Sequence, residues 1–262
     1  MKIGLIGCGA IGTELAKFID NNKEMQLVAI ADIDENKINA LKGILKNNHP
    51  ETLDIDSLIE KSDLIIEAAS GKAANELLNK IINKDKKAMF MSTGGLINSL
   101  ELLKNSKARI YLPSGAIAGL DGIKAASVGK IKSITLTTTK PPKGFKDAPY
   151  VLENKIDLDS ITKKTVIFKG PAEEAVKGFP QNINVAATLS LASDSKRLKV
   201  RIIADPKTKT NTHEIKVAGE SGKIKTKTEN IPSPINPKTS YLAVLSAIAT
   251  LKQIAEKVRI GT

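Results

Sequence analysis

Short apolar runs alternate with amphipathic helical segments through the first half of the chain, the pattern of a parallel sheet covered by helices. Strands are predicted at Lys2–Ile6, Gln26–Ala31, Asp63–Ala68, Ala88–Met91 and Ala108–Leu112, with a further short one near Thr52–Leu53. Between the first two, Ile11, Leu15, Phe18 and Ile19 recur at helical spacing, so a βαβ unit is the economical reading. After Pro113 the texture changes. Lys132–Thr139, Thr165–Lys169, Lys199–Ala204, Thr212–Ala218 and Lys223–Glu229 are rich in Thr and Lys and alternate with period two. They predict an open, largely antiparallel sheet with Lys223, Lys225, Lys227 and Glu229 on a solvated face. Helices are expected around Pro171–Lys177 and Asn182–Ala192, a loop at Pro141–Gly144 and a stiff connector at Pro232–Pro234. The closing segment returns to helix, with Asn236 as N-cap, Pro237 at the first helical position and Tyr241, Leu245, Ile248 and Ala255 as an apolar stripe. The expected division is a doubly wound α/β domain over 1–111, completed by a C-terminal helix over 239–262, and a smaller α+β domain over 112–238.

Composition narrows the classes. The chain has 262 residues, of which 41% are hydrophobic, enough to build a buried core. Its single cysteine, Cys8, allows no internal disulfide, and no Cys/His cluster has the spacing of a structural zinc site, so no metal is expected and a reducing cytoplasm fits best. Glycines interrupt the apolar start, unlike a signal peptide, and no apolar stretch approaches the ~20 residues that span a bilayer. The net charge of +12 raises the question of nucleic acid, but the lysines are scattered and aromatics for base stacking are few. A basic surface that gathers an anionic substrate is the simpler reading.

Gly7-x-Gly9-x-x-Gly12 lies between a predicted strand and a predicted helix, the context that a dinucleotide-binding turn requires. Gly7 permits the tight turn, Gly9 lets backbone approach the pyrophosphate, Gly12 lets the helix pack closely, and the helix start carrying Ala10 and Ile11 faces the phosphates. Asp32 comes 20 residues after Gly12, where a carboxylate can bind both ribose hydroxyls; it could equally cap the helix that follows. Ile33-Asp34-Glu35 would repel a 2′-phosphate, so NAD is expected and NADP is less preferred. Ala68-Ala69-Ser70 and Ser92-Thr93-Gly94 read as small-residue loops that admit the cofactor at later strand ends.

Hydride transfer needs a group that manages the proton while the cofactor takes the electrons. Of the two histidines, His49 sits in a polar loop. His213 shares a strand face with Ile215 and Val217, where it is either a core residue or a neutral base. Asn182 and Asn184 open a helix of small apolar residues; one can cap it and the other can reach nicotinamide or substrate. Lys238, Thr239 and Ser240 open the last helix, as caps or as donors to a carboxylate.

These segments resemble the L-aspartate dehydrogenase family over nearly the whole chain. The resemblance is carried by Pro113-Ser114-Gly115-Ala116-Ile117-Ala118-Gly119-Leu120-Asp121, by Phe179–Thr188, by Asn211-Thr212-His213 and by Ile231–Ser240. It implies NAD(P)-dependent oxidation of L-aspartate to iminosuccinate, which hydrolyses to oxaloacetate and ammonia or feeds quinolinate synthase in NAD biosynthesis. It also implies a homodimer and a catalytic and dimerisation domain similar to that of dihydrodipicolinate reductase. The family's catalytic histidine falls on His213, and its cofactor contacts on Ala116 and one asparagine of the Asn182/Asn184 pair, with Asn184 favoured. Ser114, Asn182, Lys238, Thr239 and Ser240 become candidates for holding substrate, and Ala118 replaces a glycine found in many relatives. Two rivals are a dihydrodipicolinate-type imine reductase, whose basic, histidine-rich motif is not found, and a non-catalytic NAD sensor, for which the first domain alone would suffice.

Overall fold

The computed structural model describes every residue except Gln181, Asn182, Ser195, Lys196, Ile235, Pro237, Lys238 and Thr262. It divides into two compact units, one of Met1–Pro113 with Val244–Arg259, the other of Ser114–Ala243 with the last residues from Ile260.

The first unit alternates strand and helix: β1 (Lys2–Ile6), α1 (Ala10–Asp20), β2 (Gln26–Ala31), α2 (Glu35–Ile44), β3 (Glu51–Thr52), α3 (Ile55–Lys61), β4 (Leu64–Glu67), α4 (Gly71–Asn83), β5 (Lys87–Phe90), α5 (Leu100–Asn105) and β6 (Ile110–Tyr111). All pairings in its sheet are parallel, in the order β3-β2-β1-β4-β5-β6. That is the doubly wound Rossmann order, whose chain reversal between β1 and β4 opens a crevice at the strand C-termini. Strands buried on both faces explain the near-continuous apolar runs: Ile3, Leu5, Leu64, Ile66 and Met89 pack with Leu15 and Ile19 in one cluster.

A buried carboxylate secures the outer edge of this unit. Asp20, the last residue of α1, accepts the backbone N–H groups of Lys46 (2.8 Å), Asn47 (2.9 Å) and Asn48 (2.6 Å) and the Asn48 amide (3.0 Å), while Asn48 accepts from Leu27 N–H (2.9 Å). Burial pushes the Asp20 carboxyl up, but the donors of Lys46, Asn48 and Asn47 outweigh it and hold it below the usual carboxylate range. Asp20→Asn should cost about 2 kcal/mol at neutral pH, because an amide cannot accept from all these donors. A lowered folded-state pKa means that the wild-type advantage is present above about pH 4 and shrinks as pH falls through the folded value. Urea melts of both proteins at pH 7 and at successively lower pH check this; a pH-independent gap would contradict it.

The second unit contains α6 (Leu120–Val128), β7 (Ile131–Lys140), α7 (Pro149–Glu153), β8 (Thr165–Pro171), α8 (Ala172–Gly178), α9 (Ile183–Ser193), β9 (Leu198–Ala204), β10 (Asn211–Gly219) and β11 (Gly222–Asn230). The helix α6 was not expected from the pattern, and the Pro141–Gly144 loop runs into a 3₁₀ turn at Pro142–Phe145. The sheet order is β11-β10-β7-β9-β8, antiparallel except for β7 with β9. Its covered face carries Ile134, Leu136, Val200, Ile202, Ile215 and Val217, which pack with Phe145, Phe168 and Phe179. Lys223, Lys225, Lys227 and Glu229 point the other way, and there Glu214 pairs with Lys216 (2.9 Å) and Lys225 (3.2 Å). β10 and β11 form a hairpin closed by the pair Gly219–Gly222, with Gly222 at φ +107°.

The last helix, α10 (Tyr241–Ala255), brings Ala247 and Leu251 into the first unit's core. It starts at Tyr241, four residues later than Asn236 as N-cap would place it. The reason is a fold-back: Ser233 N–H donates to Thr239 C=O (2.7 Å), Tyr241 N–H to Ile231 C=O (3.0 Å), and Pro232 bridges Ser240. Thr239 and Ser240 are committed to a short antiparallel contact, so the helix begins at Tyr241, whose N–H finds in Ile231 the outside partner that a first-turn donor needs.

Candidate active site

In the first unit, the residues expected to hold a dinucleotide converge at the crevice. Gly7 adopts φ +100°, a conformation that L side chains rarely take, and a Cβ there would lie 2.6 Å from the Ala68 backbone. A Cβ on Gly12 would collide with the Gly7 carbonyl oxygen, so the start of α1 is pressed directly onto the turn. Around Gly9, by contrast, a Cβ would meet nothing within 4 Å. That open space lies beside Ala10 and Ile11 in the first turn of α1, whose first turn carries no acidic side chain. These residues fit a pyrophosphate: free helical N–H groups, the positive end of a helix dipole and no side chain in the approach.

Asp32 follows β2 directly and is partly exposed. Its Oδ2 accepts from Cys8 N–H (2.6 Å) and its Oδ1 from Asp34 N–H (2.9 Å). The N-cap of α2 is Asp34, which accepts from Asn36 N–H, so the capping reading of Asp32 falls away. Each Asp32 oxygen keeps acceptor capacity for a ribose hydroxyl. Burial, with Asp32 close by, pushes the Cys8 thiol up to about 11, which leaves it protonated and inert as a nucleophile.

The loops after β4 and β5 are joined by a residue that pattern reading passed over. Glu67, at the end of β4, is fully buried. Its Oε1 accepts from Ala69 N–H (2.8 Å), Ser70 N–H (3.0 Å) and the Ser92 hydroxyl (2.8 Å), and its Oε2 accepts from Ser92 N–H (3.0 Å). Burial pushes the carboxyl up, opposed by these donors. Ser70 caps α4 by accepting from Ala73 N–H, and a Cβ on Gly95 would collide with the Gly71 carbonyl, so the two loops also touch backbone to backbone. Glu67 could have been noticed as a carboxylate ending the otherwise wholly apolar run Leu64–Ile66.

In the second unit, one rung of the sheet carries the candidate chemistry. His213 of β10 faces Thr138 of β7 on one side and Thr228 of β11 on the other. Its Nδ1 lies 3.0 Å from the Thr138 hydroxyl, and only 4% of the residue is exposed. Burial, reinforced by the charge of Lys140, pushes the imidazole down to about 3, so the ring is neutral at physiological pH. The ring is part of the core and is kept uncharged by it.

Thr228 connects this rung to the Ala116 loop. Its hydroxyl donates to Ala116 C=O (2.9 Å), as does the buried Asn230 amide (3.0 Å), which also donates to Asn211 C=O (3.1 Å). Ser114 and Ala116 flank Gly115 at φ +65°, and Gly119 at φ +86° precedes α6. Asn184 is exposed in the first turn of α9, a helix whose Ala186 lines a small apolar cavity with Leu136, Thr138, Val200 and Ile202. Asn182 and Lys238 lie outside the described residues. Thr239 and Ser240 precede the last helix instead of opening it. Thr239 N–H donates to Asn236 C=O (2.9 Å), so this donor is already paired within the chain. His49 is exposed, among the described residues no three His, Cys, Asp or Glu side chains form a metal-binding group, and no helix is long and apolar enough to cross a membrane.

Comparison with known proteins agrees over the full length. Residues 121–254 match the family model of the aspartate dehydrogenase C-terminal domain, and residues 7–113 match the NAD-binding domain of homoserine dehydrogenase. L-Aspartate dehydrogenases of Methanococcoides burtonii and Methanosarcina barkeri are 48% and 47% identical over 270 residues, covering all of this chain and all of each relative. The crystal structure of aspartate dehydrogenase from Thermotoga maritima superposes with a TM-score of 0.78 at 30% identity, covering 100% of this chain and 99% of that one. Myo-inositol dehydrogenase from Lactobacillus casei, in complex with NAD(H) and myo-inositol, shares the fold at a TM-score of 0.58 and 14% identity, covering 97% of this chain and 85% of that one. By its second-domain match and by full-length identity near one half, this chain belongs to the L-aspartate dehydrogenase family.

Proposed function

We propose that the protein oxidises L-aspartate to iminosuccinate with NAD, the imine then hydrolysing to oxaloacetate and ammonia or passing on toward quinolinate. The observation that carries this is the buried, neutral His213 held by Thr138. NAD, when bound, supplies a hydride acceptor at C4 of its nicotinamide. The chain's own residues manage the rest. The α C–H bond of aspartate breaks with its electron pair leaving as hydride, the C=N bond forms, and the amine gives up one proton. His213 takes that proton at Nε2, which requires Nδ1 to carry hydrogen and donate to the Thr138 oxygen. Gly7, Gly9, Ala10, Ile11 and Gly12 hold the pyrophosphate and Asp32 the ribose, so NAD is preferred over NADP. Ala68, Ala69, Ser70, Ala116 and Asn184 are the further cofactor contacts in this reading. Ser114, Thr239 and Ser240, with Asn182 and Lys238, orient the substrate. A homodimer working in the cytoplasm, coupled to quinolinate synthase, belongs to the same reading and rests on the family resemblance.

The test is NADH formation, followed by absorbance, with NAD and a panel of L-aspartate, D-aspartate, L-glutamate, L-malate and L-alanine. Turnover restricted to L-aspartate is the expected result. Silence on every substrate with NAD still bound would replace this reading with a sensor.

A further inference from the structure

Lys140 ends β7 two residues beyond Thr138, on the strand face that carries Ile134, Leu136 and Thr138. His213 pairs directly with Thr138, so the imidazole and the lysine project from the same face of one sheet. His213 lies one strand across from Thr138 and Lys140 two residues along from it, so the two side chains are rooted roughly 8 Å apart, within reach of the two ends of a small dicarboxylate. Lys199, Arg201, Lys216, Lys225 and Lys227 fall at the alternate positions of their strands and face the other way.

The surroundings of Lys140 are unusual for a lysine. Its side chain packs on Gly144 in the 3₁₀ turn that follows β7, and the residue is half-buried. Among the described residues no carboxylate forms an ion pair with it, and no carboxylate offsets its charge at His213. Burial alone lowers it to about 8. A half-buried cation without an anion is partly desolvated at a cost, and a fold that keeps one leaves a place for an anion to arrive from outside.

We propose that Lys140 is the cation that receives a substrate carboxylate beside His213. The inference rests on the dicarboxylate substrate proposed above. It adds a specificity-determining residue that neither the motifs nor the family resemblance singled out. The arriving carboxylate pairs with the ammonium and offsets its positive field at the imidazole, so His213 becomes a stronger proton acceptor once substrate is in place. Monocarboxylates and uncharged amines leave the lysine unpaired and bind less well.

The experiment compares Lys140→Met and Lys140→Arg with wild type. Three quantities are read: KM for L-aspartate, affinity of the NAD-loaded protein for succinate by calorimetry, and thermal midpoint. Lys140→Met should raise KM and weaken succinate binding about 10- to 100-fold, the size of a charge-assisted contact, while NAD affinity stays at the wild-type value. Lys140→Arg should recover part of both. The melting temperature of Lys140→Met should equal or exceed that of wild type, because an apolar side chain of similar length replaces an unpaired, partly desolvated charge; a purely structural lysine would give a lower one. Unchanged KM and succinate affinity in Lys140→Met, with wild type turning over L-aspartate, would overturn the assignment and leave the dehydrogenase reading standing. A wild type inert to L-aspartate, whose succinate affinity still falls in Lys140→Met, would overturn that reading and keep the anion site.

Discussion

Replacing His213 with alanine lowers L-aspartate turnover by about 100-fold or more and leaves NAD affinity near wild type. The split follows from position: the ring touches Thr138 in the second unit, and nothing in the glycine turn or the Glu67 network depends on it. Steady-state kinetics and NAD titration check both halves, and undiminished turnover would remove His213 from the mechanism. The same variant changes the acid limb of stability. The buried imidazole is held down to about 3, whereas an unfolded histidine titrates near about 6.5. Between those values the unfolded chain binds the extra proton, so wild-type stability is full above about pH 6.5. It falls by up to about 1.4 kcal/mol per unit as pH drops toward 3. Removing the histidine removes that slope, which denaturation at pH 7 and pH 5 would reveal.

Replacing Glu67 with alanine has the second large effect. Four donors converge on its carboxylate, and two of them, the Ser92 N–H and hydroxyl, are buried where water cannot replace the acceptor. Each orphaned buried donor costs about 1–3 kcal/mol, so a loss of about 3 kcal/mol is expected. In a chain of this size that lowers the melting temperature by roughly 6–12 °C. Because Glu67 ties the loop after β4 to the loop after β5, KM for NAD should rise about tenfold as both lose register with the crevice. Glu67→Gln should keep about half of the stability, since its amide oxygen still accepts while its NH2 group opposes a donor. A fall in melting temperature with KM for NAD unchanged would leave Glu67 as a group that only maintains the fold.

The parts of this molecule that could be read from one chain are those whose cause is local. Gly7, Gly9 and Gly12 are required by a turn closed within six residues, and His213 declares its face through the alternation with Ile215 and Val217. Lys140 and Glu67 stayed hidden for one reason. A charged residue at the end of a strand reads as the first solvated position, and only the folded chain reveals that Glu67 is buried and Lys140 half-buried. The same holds for Thr138, one threonine among several in β7 until β10 is laid beside it. The start of α10 was misplaced because Asn236 and Pro237 make a good local helix signal. The competing partner, the Ile231–Ser233 backbone, wins through contacts that no propensity encodes. The strand order of the second sheet is likewise a matter of long-range pairing.

The hairpin of β10 and β11 gives the second unit a property best described as parity. Side chains on a strand have only two directions, so the turn at Glu220–Ser221, closed by the pair Gly219–Gly222, decides which direction His213 takes relative to Thr228. A single-residue insertion or deletion along β10 between that turn and His213 would exchange odd for even and send the imidazole out among Glu214 and Lys216, with every residue otherwise intact. Paired insertions would restore it. The site should therefore tolerate change in length along this ribbon only in steps of two, and a point far from the chemistry governs whether the chemistry faces inward at all.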